Sequence, residues 1–129
     1  FETFAPVTRI ETVLLLLAIA AHKRYLVHHV DFNNAYLNAS LQETIYMRQP
    51  RGYPLHEDPK MVLRLKKSLY GLKQAGREWY LLLRKTLQDL GWKSNSKDQC
   101  LFTRKGDDGI EHLLVYVDDL LIAASCESR

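Results

Sequence analysis

Cysteine is nearly absent: Cys100 and Cys126 are the chain's only two. They lack metal-ligand spacing and offer no disulfide framework, so a reducing compartment is the expectation. No apolar run is long enough to cross a bilayer. The longest, residues 13–21, also lacks the basic flank of a secretory signal. Without secretion the glycosylation pattern Asn38-Ala39-Ser40 has no meaning. Proline is scarce, and Pro50, Pro54 and Pro59 share one segment, which makes residues 49–60 a loop. Excess charge of one sign is lacking too. A net charge of +3 and a pI near 8.9 admit a nucleic-acid partner without requiring one. There is no internal repeat and no low-complexity tract.

The remaining composition is that of a globular domain, with 47% hydrophobic residues in 129. The chain begins at Phe1 and stops just after an apolar run, so it is expected to be a piece of a longer polypeptide. Its most telling feature is Tyr116-Val117-Asp118-Asp119, two adjacent carboxylates between Leu113-Leu114-Val115 and Leu120-Leu121-Ile122. Such runs read as buried strands. A buried carboxylate costs several kcal/mol or takes up a proton, so the pair asks for a cation. The second acidic pair, in Gly106-Asp107-Asp108-Gly109, is flanked by turn residues and reads as a solvated hairpin tip.

Residues 8–23 are expected to form a helix, capped by Thr8 and buried on most sides because it has almost no polar face. Residues 25–32 read as a strand that ends on Asp31, with Asn33 and Asn34 bending the chain after it. Residues 61–65 alternate as a strand does. Residues 74–90 are amphipathic, with Trp79, Leu83, Leu87 and Leu90 on one stripe and Gly91 as the stop. Strands are expected over 101–103 and 112–117. The order suggests an α+β fold, with helices on one face of a mainly antiparallel sheet.

Asp31 ends one strand, and Asp118-Asp119 interrupt another. If the two strands are neighbours, about 5 Å apart, three carboxylates meet at one sheet end. Three converging carboxylates can hold two divalent ions about 3.5–4 Å apart, an arrangement suited to phosphoryl chemistry. Mg²⁺ prefers such all-oxygen ligands. The bland alternative leaves Asp31 capping a turn and the pair at a bent strand end. His28 and His29 alternate across a strand and so cannot chelate one ion together.

Four segments in order carry a family resemblance. Phe1-Glu2-Thr3-Phe4-Ala5-Pro6-Val7 resembles an ETFAPV box, and Val30-Asp31-Phe32-Asn33-Asn34-Ala35-Tyr36-Leu37-Asn38 resembles a VDVxxAFLNG box. Tyr46-Met47-Arg48-Gln49-Pro50 with Gly52-Tyr53 fits YMxQPxGF, and Ser68-Leu69-Tyr70-Gly71-Leu72-Lys73-Gln74-Ala75 resembles SLYGLKQ. With the YVDD box, these resemble the reverse transcriptases of copia-type (pseudovirus) LTR retrotransposons over essentially the whole chain.

The resemblance implies a right-hand polymerase palm with part of the fingers, its antiparallel sheet backed by helices, as a partial domain over 1–129. It implies RNA- or DNA-templated addition of deoxynucleotides to a primer 3′-hydroxyl. Asp31, Asp118 and Asp119 would be the catalytic carboxylates. With the Phe32 carbonyl they would hold two Mg²⁺ ions, or Mn²⁺. Asn34 and Ala35 amides would face the triphosphate, Tyr36 would be the steric gate against a 2′-hydroxyl, and Gln74 would approach nucleotide and template. Tyr116 and Val117 would lie near the primer terminus. The partners implied are a template–primer, a deoxynucleoside triphosphate and the rest of a Pol polyprotein (RNase H, integrase), without a membrane, in cytoplasmic virus-like particles.

From the residues alone, Tyr36 is a core aromatic, Gln74 a helix-start residue, and Tyr70 and Trp79 packing residues. Arg48, Arg51, Arg64, Lys66, Lys67 and Lys73 could follow a phosphate backbone or be scattered surface charge. The chain departs from the family at Leu14, where Arg is common, at Ala39, where Gly is usual, and at Gly76, where Pro is common. The family's upstream basic finger residues, primer grip and thumb are not in this sequence, so the isolated chain is expected to have little or no polymerase activity. The rivals are an RNase H-type nuclease, against which Tyr36 argues, and a decayed or domesticated nucleic-acid-binding remnant.

Overall fold

The computed structural model describes residues 3–53, 55–107 and 109–125. The readings placed on Phe1, Glu2, Pro54, Asp108 and Cys126 therefore lie outside the described residues. The leucine-rich stretch forms α1 (Ile10–Lys23), and the strand before the first carboxylate is β1 (Leu26–Asp31). A single-turn helix α2 (Ala35–Asn38) follows, then a small two-stranded sheet of β2 (Tyr46–Arg48) and β3 (Val62–Arg64). The amphipathic segment is α3 (Ala75–Asp89), ended as expected at Gly91, whose φ of +86° is free of strain only for glycine. The chain closes with β4 (Lys93–Ser94), β5 (Leu101–Gly106), β6 (Gly109–Tyr116) and β7 (Asp119–Ala124). Strands β5 and β6 pair down to Gly106 opposite Gly109, the hairpin read from the second acidic pair.

All five strands of the main sheet run antiparallel, in the order β1-β7-β6-β5-β4. Helices cover both of its faces, not one. Leu113 and Val115 of β6 join Phe102, Leu120 and the α3 residues Trp79, Leu83 and Leu87 in one core cluster. Leu114, between them, joins Ala123 and the α1 residues Leu16 and Ala20 in another. Successive strand residues point to opposite faces, so three apolar neighbours in a row need cover on both sides. That continuity was visible in the sequence as a run without alternation.

Two expectations for α1 fail. It is not buried on most sides: only Leu16 and Ala20 are, while Leu14 and Leu15 are more than half exposed. One sheet face can accept only one stripe of a helix that is apolar all round. Nor does Thr8 cap it. The capping position is Arg9, and the oxygen that serves the helix start comes from Asp98, far along the chain. Its Oδ2 accepts from the Thr12 hydroxyl at 2.6 Å and from the Thr8 hydroxyl and the Arg9 amide at 3.4 Å each. Its Oδ1 accepts from the Cys100 amide at 2.9 Å. A carboxylate there also meets the positive end of the helix dipole. Burial alone would raise the Asp98 carboxyl, but these hydrogen bonds, the one from Thr12 foremost, hold it below its ordinary value.

A depressed carboxyl contributes stability above its unfolded-state value and loses it as pH falls through the folded-state value. Asp98→Ala is expected to cost about 0.5–2 kcal/mol at neutral pH, the range for a lost cap. In urea denaturation the gap between parent and variant should close under strong acid. Equal midpoints at pH 7 would show that Asp98 does not anchor α1.

Candidate active site at the end of the sheet

The register of β1 on β7 sets the site. Asp31 lies directly opposite Asp119, His29 opposite Leu121 and Val30 opposite Leu120. The next amide, Phe32 N–H, donates to the Asp118 carbonyl at 2.8 Å. Tyr116 pairs with Asp119, which leaves Val117 and Asp118 as the two-residue turn between β6 and β7. The expected strand neighbours are thus real neighbours, and all three carboxylates sit at one end of the sheet.

The turn carries strain. Val117 has a φ of +56°, a left-handed conformation that a β-branched residue adopts only at a cost of about 1–3 kcal/mol. A two-residue hairpin with positive φ at its first central position favours glycine there. The Trp79 indole N–H holds the turn, donating to the Val117 carbonyl at 2.6 Å. The same ring meets Phe32 edge-on, centroids 5.2 Å apart at 72°. One side chain of α3 thus grips both segments that carry the carboxylates. By sequence Trp79 is a packing residue; the signal for its further role is that a buried indole N–H must find an acceptor.

The carboxylates are less buried than a strand reading implies, because the pair lies at a turn; the Asp119 side chain is 44% exposed. Their side chains also have separate partners. Asp119 Oδ1 accepts from His29 Nε2 at 2.7 Å, and Asp118 Oδ2 accepts from the Tyr70 hydroxyl at 3.5 Å. Among the described residues no three ligand side chains converge on one point. The backbone gathers the carboxylates, and the side chains diverge. Strand parity puts Asp31 and Asp119 on the α1 face, while Asp118, in the turn, meets the loop before α3. The donor set nonetheless fits a hard divalent cation. Two carboxylates directly opposite across a strand pair repel each other, and a cation would remove that cost.

His28 and His29 fall on opposite faces, as alternation requires. His29 meets Asp119, and His28 lies in a cleft with Trp92, Arg104 and Glu111. Burial, then the Asp98 charge, pushes the Cys100 thiol up to about 12, so it stays protonated and is no nucleophile.

Around this end sit the other residues singled out. Asn34 is left-handed, φ +55°, at the start of α2, and Ala35 is fully buried. Tyr36 is half-buried against the α3 core and lines a cavity of about 110 Å³ with Ala5, Val7, Gly76, Trp79 and Val117. Its ring stacks on Tyr70, centroids 4.2 Å apart at 30°. Gln74 turns toward Glu43, to which its Nε2 donates at 2.6 Å. Tyr116 is exposed beside Asp119. Tyr70, a packing residue by sequence, touches both Tyr36 and Asp118; its place inside the SLYGLKQ box is the only sequence signal for that role.

Replacing Trp79 by Phe keeps most of the apolar volume and removes the N–H. The expected loss is about 0.5–1.5 kcal/mol. Hydrogen exchange at the Phe32 amide, which pairs with the turn, should quicken more than exchange in β5. Equal exchange in parent and variant would mean that the turn does not depend on Trp79.

Known proteins resemble this chain in sequence. The family described as reverse transcriptase (RNA-dependent DNA polymerase) matches residues 1–128. The retrovirus-related Pol polyprotein from transposon RE1 of Arabidopsis thaliana is 39% identical over 124 residues, 96% of this chain and 8% of that protein. The counterpart from transposon TNT 1-94 of Nicotiana tabacum is 38% identical over 122 residues, 94% of this chain and 9% of that protein. A putative transposon Ty5-1 protein of Saccharomyces cerevisiae is 38% identical over 95 residues, 74% of this chain and 31% of that protein. The chain thus spans under a tenth of the length of the first two. No solved structure is a significant match.

Proposed function

Because the chain belongs to the reverse transcriptase (RNA-dependent DNA polymerase) family, as a domain of the kind found in copia-type retrotransposon Pol polyproteins, we propose that it builds the catalytic centre of such a polymerase. In this reading the five-stranded sheet is the palm, and the β2–β3 hairpin belongs to the fingers. The reaction joins a primer 3′-oxygen to the α-phosphorus of a deoxynucleoside triphosphate and releases pyrophosphate, copying an RNA or DNA template. The observation that carries the reading is the register of Asp31 opposite Asp119, beside the turn that holds Asp118.

The residues divide the work as follows. Asp31, Asp118 and Asp119, with the Phe32 carbonyl, would hold Mg²⁺, or Mn²⁺ in its place, and two such ions, when bound, would supply charge stabilisation for the phosphoryl transfer. His29 and Tyr70 orient Asp119 and Asp118 by the hydrogen bonds they donate. The Asn34 and Ala35 amides lie at the start of α2, where they can face a triphosphate, and in this reading the Tyr36 ring would lie beneath its sugar. Gln74 and the primer-side residues Tyr116 and Val117 flank the site. Between Gln42 and Gln74 basic residues outnumber acidic ones, as suits a template strand. The other partners in this reading are the rest of a Pol polyprotein, in cytoplasmic virus-like particles. Among the described residues no helix is long and apolar enough to cross a membrane.

Primer extension with Mg²⁺, by a polymerase that carries this chain, tests the reading. Asp118→Asn is expected to lower the rate by at least about 100-fold, and a variant that extends as the parent does removes the assignment. Stability supplies an independent check. Without metal, Asp31→Asn should raise stability by about 0.2–1 kcal/mol, because it relieves the repulsion across β1 and β7. Added Mg²⁺ should then stabilise the parent more than the variant.

A further inference from the structure

The residues named so far leave Tyr36 alone as the discriminating element, yet the structure gives it a partner. Tyr36 sits on α2, which at four residues cannot hold itself. The loop that follows β3 holds it. The Ser68 amide donates to the Ala39 carbonyl at 2.9 Å, and Lys67 forms a β-bridge with Ser40. This tie brings Tyr70 over Tyr36, rings 4.2 Å apart. The Tyr70 hydroxyl meanwhile reaches Asp118 Oδ2. Tyr36 therefore has the α3 core on one side and the Tyr70 ring on the other. Near its hydroxyl stands Gly76, which has no side chain to grip it. A Cβ built there would lie 3.6 Å from the Tyr36 oxygen.

We propose that Tyr70 is a positioning residue for sugar selection: its ring clamps Tyr36 into a two-ring gate that excludes a ribonucleotide. This rests on the reading of Tyr36 as the gate. A clamp is needed because an aromatic ring freed on one face can swing to another staggered rotamer, and a gate that swings aside admits a 2′-hydroxyl. Contact between the two tilted rings stabilises the packed position beyond the area it covers. Tyr70 is about half exposed, so cutting it back leaves both core clusters intact.

The test measures kcat/KM for each deoxynucleotide and its ribonucleotide with the polymerase that carries this chain. Tyr70→Ala, and Tyr70→Leu, which keeps bulk without a ring, should each reduce discrimination at least tenfold. Tyr70→Phe keeps the ring and should discriminate within about twofold of the parent. The proposal is overturned if Ala and Leu discriminate as the parent does. It is equally overturned if Phe fails as badly as Ala, since the hydroxyl would then be responsible. Tyr36→Ala, measured alongside, separates the two readings. If it admits ribonucleotides and Tyr70→Ala does not, only the clamp is wrong. If it does not, the gate reading of Tyr36 falls as well.

Discussion

The site depends on the register between β1 and β7. A slip of one residue would carry Asp31 and His29 to the other face of the sheet and separate them from Asp119. Leu120 and Ala123, buried on opposite faces of β7 in two different core clusters, fix β7 from inside, and Tyr25 and Phe32, which flank the exposed β1 and pack against one cluster each, hold β1 against it. Neither Leu120 nor Ala123 can move to the other face without exposing apolar surface and burying its neighbour badly. The apolar residues around the acidic pair thus set the position of the acids as well as surrounding them.

That rigidity lets the hairpin tolerate what it would otherwise avoid. A valine in a left-handed conformation and two carboxylates facing each other are both unfavourable, and both lie within a few residues at one end of the sheet. Trp79 opposes the first with its hydrogen bond to the turn. His29 draws Asp119 into a hydrogen bond, which lessens the second. Local strain that the surrounding packing over-determines is characteristic of functional sites. Asp98 plays a comparable part for the opposite layer, where it joins the start of α1 to the turn before β5.

Much of this could be read from the sequence. The two long helices, the strand ending on Asp31 and the strands flanking the acidic pair all carry strong periodicity or an unbroken apolar run. The adjacency of the three carboxylates followed from strand pairing. The elements that escaped, α2, β2 and β4, have four residues or fewer, too few for a period to show. The exposure of α1 escaped because composition tells how apolar a helix is, not how much surface is available to cover it. Asp98, Trp79 and Tyr70 escaped for one shared reason. Each acts through hydrogen bonds or ring contacts to residues distant in sequence, and no local pattern encodes such partners. The divergence of the aspartate side chains is of the same kind, since strand parity and the turn decide it.

The central claim is that this sheet end, gathered by the β1–β7 register, is where a divalent cation binds. Titration with Mn²⁺, followed by paramagnetic broadening of backbone amide signals, tests it most directly. The account predicts that Asp31, Phe32, Asp118 and Asp119 broaden first and together, and that excess Mg²⁺ restores their signals. Broadening centred elsewhere, for instance on Glu57 and Asp58 in the loop after β2, with the four signals unchanged, would contradict it.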